Sequence, residues 1–508
     1  MKRKISKAIS WISVVIFILS MIPILYLSFF NYATGDDLNK SCATHLVLMN
    51  GGSLSDFVAG ALSEIGSFYN GWGGNWFACA LWTVEPSIFG EDVYHITLYI
   101  ALLAILGGIG YLSYYWYQKY IKADKCYFVI MLMMLFFVTV QSMPAGHTAF
   151  FWYAVIANYI IPYALTLLTA VWIDKWLENG KWTYIIGVTV AGIMIGGAGY
   201  MEALVQFEIL VLFLIYCVIR KAKFKRIFGV LIPFIGFAIS FAFNLLAPGN
   251  AARGGESIDL GLGNIIITIK DSILRGASNT VEYFLNGRLL FIYVPLLIAI
   301  AWLCIDLKTS DYKYEYPIIK IVIGFLMYCS TYAPMSFMKD IDGSSGHTNS
   351  YWLYFILWIT YTIVYLVGYI KVSILSKEKT CLSTNRSTAF DYACLGISVG
   401  IVLISCCLYK HFLGNMYSYK CYDYIVSGRL SDFEEQMQER FVLLNDPKVD
   451  DVVVPMMNDD QGPFLHFAIT DDPTVYTNYV TADFYGKNSV IAMPRDEYYE
   501  RYQNGGMN

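Results

Sequence analysis

The chain has 508 residues, 57% of them hydrophobic and 15% charged, with a mean hydropathy of +0.51. A soluble protein of this length carries about 25% charge to cover its cores, and a disordered one has far less apolar content, so both classes are excluded. A net charge of −4 leaves no basic excess for nucleic acid, and the composition is that of an all-α polytopic membrane protein.

Apolar stretches of about 20 residues, the length that crosses a bilayer, recur along the chain. Eleven read as spans, at roughly 8–30, 94–117, 126–142, 156–173, 183–200, 202–219, 227–247, 289–305, 317–336, 351–371 and 391–409. The first follows Lys2, Arg3 and Lys4 and has no small-residue cleavage site after it, so it reads as an anchor. Placing the N-terminus inside puts the cluster Arg220, Lys221, Lys223, Lys225 and Arg226 inside, with the short basic loops near 119–125, 174–181, 306–320 and 371–386. All six histidines then fall at or beyond the outer face. The division expected is a membrane domain over 1–409, with outer loops at 31–93 and 248–288, and an extracytoplasmic domain over 410–508. The eleven cysteines are scattered with no Cys-x-x-Cys pair, which gives neither a zinc site nor a disulfide framework.

Chemistry is more often carried by loops on a rigid scaffold than by the scaffold itself, so the outer loops are the place to look. The first begins Tyr32-Ala33-Thr34-Gly35-Asp36-Asp37. Adjacent carboxylates repel, which raises one pKa and suits it to act as a base; a solvated helix end is the plainer reading of the same pair. The loop is acidic enough to hold a divalent cation, although no ligand spacing demands one. Farther on, Tyr69-Asn70-Gly71-Trp72-Gly73-Gly74-Asn75-Trp76 combines aromatic faces, amides and glycines that allow close backbone approach to a sugar. A membrane-interface anchor is its alternative reading.

The apolar run 183–219 is too long for one span and is interrupted by Gly196-Gly197-Ala198-Gly199-Tyr200-Met201-Glu202. Glu202 therefore opens a helix at the outer surface, either as a functional carboxylate or as a partner of the helix dipole. After the seventh span, Pro248-Gly249-Asn250 signals a turn, and Arg253 beyond it has the fork geometry for a phosphate. Trp152 with Asn158-Tyr159 marks another outer edge. His347, before the tenth span, is a phosphate donor or an ordinary loop residue.

Taken in order, Asp36-Asp37, Tyr69-x-x-Trp72-x-Gly74, Trp152 with Asn158-Tyr159, Glu202, and Pro248-Gly249-Asn250-x-x-Arg253 resemble the GT-C superfamily of polytopic glycosyltransferases. The likeness is to a bacterial branch of the O-antigen glucosyltransferase type and covers roughly residues 8–350. It implies a GT-C-like helix arrangement, amphipathic helices in the first outer loop, and sugar transfer outside the bacterial cytoplasmic membrane. The implied donor is a polyprenyl-phosphate sugar and the implied acceptor a cell-envelope glycan or lipid. By that resemblance Asp36 or Asp37 is the base, Glu202 assists, and Arg253 meets the lipid phosphate. Tyr69, Trp72, Asn75, Trp152, Asn158, Tyr159, Asn250 and His347 would complete the substrate surface. Asn75 stands where the family usually has Arg, Val155 where it has Gly, and His347 where a basic Arg is expected.

The tail from about 410 has an amphipathic stretch near Leu430–Val442 and a strand-like Val452-Val453-Val454-Pro455, which predicts a small mixed outer domain. Two rival functions are a transporter or flippase and a non-catalytic subunit of a surface-polysaccharide assembly system. No internal repeat is visible, and the singled-out charges gather at the outer edge, which favours surface chemistry over translocation.

Overall fold

A computed structural model describes residues 2–254, 261–285, 296–300, 312–339, 344–370, 413–458 and 462–502, with single positions 372, 396 and 400. The membrane part begins with α1 (Lys2–Leu27), and three helices then fill the first loop: α2 (Asp36–Met49), α3 (Leu54–Gly71) and α4 (Trp76–Trp82). Next come α5 (Ile96–Trp116), α6 (Lys125–Gln141), the short α7 (Gly146–Phe151) and α8 (Tyr153–Val155). A π-helical turn over Ile156–Ile160 leads into α9 (Ile161–Asn179), followed by α10 (Trp182–Gly196), α11 (Tyr200–Ile219) and α12 (Phe224–Leu245). Then follow α13 (Pro248–Gly254), α14 (Leu262–Leu285), α15 (Pro317–Ser330), α16 (Ala333–Phe337) and α17 (Ser345–Tyr369). Helices α13 and α14 occupy most of the second long loop expected from the sequence.

Among the described residues six helices are long and apolar enough to cross a membrane: Lys4–Phe30, Glu91–Ile121, Tyr153–Asn179, Tyr200–Ile219, Phe224–Leu245 and Ser345–Tyr369. The protein is thus membrane-embedded, with a membrane part that is all-α. Three expected spans form shorter apolar helices, α6 of 17 residues, α10 of 15 and α15 of 14. At ~1.5 Å per residue they reach about 21–26 Å, short of a ~30 Å hydrocarbon core. Helix α10 ends at Gly196, where the Asn244 amide donates to the Gly196 and Ala198 carbonyls at 3.0 and 2.9 Å and Gly199 turns extended (φ −62°, ψ 147°) before α11 begins. The expected spans at 289–305 and 391–409 lie outside the described residues, apart from 296–300, 396 and 400.

Amphipathic character in the first loop is clearest in α3. Ser53 and Asp56 close a capping box at its start. Leu54, Val58 and Leu62, four residues apart, form an exposed apolar stripe suited to lying along a membrane surface.

The C-terminal unit comprises α18 (Tyr417–Val426), α19 (Arg429–Leu444), β1 (Asp451–Pro455), α20 (Tyr476–Phe484), β2 (Ser489–Met493) and α21 (Arg495–Tyr502). The two strands pair in parallel with Val452 opposite Val490 and Val454 opposite Ala492, so α20 serves as a crossover helix. Leu444, Val452, Val454, Ile469, Ala482, Val490 and Ala492 form its core. This mixed unit is seated on the first loop. Tyr32 donates to Glu434 at 2.8 Å, His45 stacks on Phe484 with ring centroids 3.8 Å apart, and Asn445 donates to Glu91 at 2.9 Å. Basic residues gather at the other helix ends. There Lys119 pairs with Asp174 at 2.5 Å and Glu178 at 2.6 Å, while Arg226 donates to the Trp176 carbonyl at 2.5 Å.

Candidate functional site

The Thr34-Gly35 turn delivers two carboxylates into the first turn of α2, where the helix N-terminus favours negative charge. Gly35 has φ +55°, and a Cβ there would lie 2.5 Å from the Phe467 ring, so both backbone and space call for glycine. Asp36 is half-buried. Its Oδ1 accepts from the Tyr476 hydroxyl at 2.6 Å, and Oδ2 has no hydrogen bond among the described residues.

Asp37 turns the other way and is fully buried. Its Oδ2 accepts from the Tyr94 hydroxyl, which itself accepts from the Tyr153 backbone N–H at 3.1 Å. Asp37 Oδ1 is buried with no hydrogen-bond partner among the described residues. Beside it lies Glu85, equally buried, whose Oε2 accepts from the Ser87 N–H at 2.8 Å and whose Oε1 meets the Ser87 and Ser41 hydroxyls. The Ser41 hydroxyl lies 2.7 Å from the Asp37 carbonyl and 3.0 Å from Glu85 Oε1, so its single hydrogen serves one of them at a time. Burial pushes the Asp37 carboxyl well above the usual carboxylate range; the Glu85 charge adds to this and the Tyr94 hydrogen bond opposes it. Burial likewise pushes Glu85 up to about 7, against the pull of the Ser87 and Ser41 hydrogen bonds. Two buried acids whose charges repel one another favour keeping a proton on the pair.

A strap from the C-terminal unit roofs this floor. The Phe467 N–H donates to Thr34 Oγ1 at 3.0 Å, and its ring meets Trp152 edge-on at 5.7 Å. The preceding His466 accepts from Arg440 at 3.0 Å. Burial, reinforced by the Arg440 charge, holds that imidazole down to about 3, so it stays neutral and keeps the strap pinned.

A second group of the predicted residues forms a polar ring on the adjoining helix ends. The Trp72–Asn75 turn presses against the end of α12, and a Cβ on Gly74 would sit 1.8 Å from the Asn244 carbonyl oxygen. The Asn250 side chain fastens that contact. Its Oδ1 accepts from Gly74 N–H at 3.1 Å and the Tyr200 hydroxyl at 3.0 Å, and its Nδ2 donates to the Asn244 carbonyl at 2.7 Å. Asn75 donates to Asn158 at 3.0 Å, and the Arg253 guanidinium lies over the half-exposed Trp72 ring, 4.9 Å from its centroid. His347 Nδ1 accepts from the Ser344 N–H at 2.9 Å, which leaves Nε2 to donate toward the Tyr159 hydroxyl at 3.3 Å. Glu202 is fully buried, with Oε1 accepting from Ser350 at 3.0 Å and Oε2 lacking a partner among the described residues.

The predicted residues thus fall into two adjoining groups. Asp36, Asp37 and Trp152 form the roofed acid floor. Trp72, Asn75, Asn158, Tyr159, Asn250, Arg253 and His347 form the ring, with Glu202 beneath it. The segment from Trp152 to Tyr159 joins them through a π-helical turn, a form of helix that recurs at functional sites. Tyr69 stands apart, stacked on Phe243 at 4.4 Å with its hydroxyl donating to the Phe243 carbonyl at 2.9 Å. The hydrogen bonds of Asn250 go entirely to the protein, as does the one Asn75 makes. Both therefore shape the ring's backbone.

The sequence marks Glu85 only as one acid of an acidic loop, and gives no sign of Tyr94, Phe467 or Tyr476 as site residues. Glu85 sits before Pro86 amid apolar residues, a faint signal; Phe467 and Tyr476 lie more than 400 residues from the turn they cover and leave no local trace. Among the described residues no three His, Cys, Asp or Glu side chains converge as metal ligands would.

Fold and site together define a helical membrane-embedded protein whose C-terminal unit closes over a carboxylate cluster in its first loop. Comparison with protein-family models and with curated proteins gives no match for the chain.

Proposed function

We propose that this chain is a GT-C-type membrane glycosyltransferase. It moves a sugar from a polyprenyl-phosphate donor to a cell-envelope glycan or lipid at the outer face of the bacterial cytoplasmic membrane. In this reading the chain has about eleven spans, the N-terminus inside and the C-terminal unit outside. The observation that carries it is Asp36, a loop carboxylate with one oxygen held by Tyr476 and the other without a hydrogen bond among the described residues.

Asp36 Oδ2 takes the proton of an acceptor hydroxyl as that oxygen attacks the anomeric carbon. The bond from that carbon to the phosphate oxygen breaks, and polyprenyl phosphate leaves as an anion that needs no acid. Arg253, splayed on Trp72, offers its N–H fork to the phosphate. Asp37 and Glu85 hold the α2 turn in place from below. Glu202, fully buried, braces the ring through Ser350.

One observation favours a transporter instead. Glu202, Gln206 and Thr169 are fully buried polar residues within the helical bundle, with Thr169 donating to Gln206 at 2.7 Å. Intramembrane groups of this kind line translocation paths in other proteins.

The deciding experiment measures polyprenyl phosphate released from lipid-linked sugars by the reconstituted full-length protein. Asp36→Asn is expected to lose about 10²–10⁴-fold in rate, the usual worth of a positioned base. An Asp36→Asn protein as active as wild type overturns the assignment of the base. Movement of an intact lipid-linked sugar across the bilayer without its cleavage would replace the transferase with the transporter.

A further inference from the structure

Pro144, in the turn after α6, and Gly146 and His147, at the start of α7, face α18, the start of α19 and the segment Gly462–Phe464 across a cavity of about 570 Å³. That volume is in the ~300–1,000 Å³ range of small-molecule sites. Tyr417, Tyr424 and Phe464 supply aromatic wall, and His147, Lys420, Asp423 and Arg429 are its charged or polar side chains. Arg429 is matched by Asp423 at 2.6 Å. Lys420 and His147 are not matched: among the described residues neither side chain makes a hydrogen bond or an ion pair. Burial and the nearby Lys420 charge hold the His147 imidazole below its ordinary value, so it stays neutral and presents one donor and one acceptor nitrogen. The cavity therefore offers one unspent cation, an imidazole able to exchange hydrogen bonds with hydroxyls, and aromatic wall.

The wall of this cavity is continuous with the roof of the acid floor. Phe464 lines the cavity, and Phe467, three residues on, covers Gly35 beside Asp36. Three residues span at most ~11 Å. From these contacts we infer that the cavity is an acceptor subsite for a sugar unit bearing an anionic oxygen group, carboxylate or phosphate. Lys420 meets the anion, His147 the ring hydroxyls, and the chain continues along the 464–467 strap toward Asp36. The assignment of the occupant as the acceptor rests on the transferase reading.

Binding to the full-length protein in detergent tests this without requiring turnover. The probes are trigalacturonate, its neutral methyl ester, glucose 6-phosphate and inorganic phosphate. Trigalacturonate or glucose 6-phosphate should bind, whichever matches the anion recognised, and the neutral ester should bind more weakly. Lys420→Glu should weaken the bound probe about tenfold, a change of ~1.4 kcal/mol. Lys448→Glu, the same reversal on an exposed residue that does not line the cavity, should change it by less than about twofold.

Equal binding of ester and acid, or no response to Lys420→Glu, overturns the anionic subsite, and so does failure of every probe. Inorganic phosphate binding as tightly as the sugars overturns the sugar component. Polyprenyl phosphate release that persists without probe binding removes the subsite and leaves the transferase. Probe binding without any release removes the transferase and leaves a glycan-binding cavity.

Discussion

Tyr476 donates its hydroxyl hydrogen to Asp36 Oδ1 at 2.6 Å, joining residues 440 positions apart and clasping the C-terminal unit to the first turn of α2. Asn39 donates to the same hydroxyl at 3.1 Å, which fixes the direction in which the tyrosine donates. The clasp leaves the carboxylate one oriented, unbonded oxygen.

Removing the clasp should therefore cost more in rate than in stability. A hydrogen bond to a charged group is worth ~1.5–3 kcal/mol. Tyr476→Phe should slow polyprenyl phosphate release by about tenfold or more while lowering the unfolding midpoint only slightly. Parallel rate and thermal-melt measurements separate the two, and a melt that falls as steeply as the rate makes the tyrosine a purely structural clamp.

The buried pair beneath predicts a pH dependence with a definite sign. Glu85 rises on folding from 4.5 to about 7, and Asp37 also rises, so the folded protein holds more protons than the unfolded chain in that window. The relative stabilisation is complete below about pH 4.5 and is lost as pH climbs through 7. Glu85→Gln can keep the same contacts, its carbonyl accepting from Ser87 N–H and its amide donating to the Ser41 and Ser87 hydroxyls. The variant should be more stable than wild type above pH 7, by up to about 3 kcal/mol, and its melting temperature should fall less between pH 5 and 8. Identical pH profiles for the two proteins would show that Glu85 titrates normally.

Gly74 is the tightest backbone contact in the polar ring. Gly74→Ala places a methyl 1.8 Å from the Asn244 carbonyl oxygen, which is held in place by the Asn250 amide, so the Trp72–Asn75 turn must move. The expected cost is about 1–3 kcal/mol with loss of most activity. By contrast Gly71→Ala, at a position where a Cβ meets nothing within 4 Å, should be close to neutral in thermal melts.

Arg253 over Trp72 is worth ~0.5–1 kcal/mol at an exposed site. Trp72→Ala should raise KM for the lipid-linked donor by about 2–5-fold with little change in kcat. Arg253→Lys, which keeps the charge and loses the bidentate fork, should retain part of that affinity. Steady-state kinetics across donor concentrations tests both, and a change confined to kcat would move these residues from donor binding to chemistry.

The sequence by itself determined the class of protein. A chain 57% hydrophobic and 15% charged has to bury its helices in lipid, and the Pro-Gly-Asn, Gly-Gly and Asp-Asp signals mark the loop ends where polar groups must collect. It also marked Asp36 and the Trp72–Arg253 neighbourhood, because glycines and paired charges in an apolar chain are locally conspicuous. Hydropathy registers apolar length but not where a helix must stop; α10 ends where Asn244, from α12, caps the Gly196 and Ala198 carbonyls and Gly199 turns extended. Only the tertiary structure decided which carboxylate is reachable. Asp36 and Asp37 are adjacent and chemically identical, and what separates them is that Tyr94 and Glu85 bury one while Tyr476 and Phe467 approach the other from a unit more than 400 residues away. Periodicity and spacing register neighbours within a few turns of chain. Burial, hydrogen-bond partners and the pKa shifts that follow are set by residues that only folding brings together.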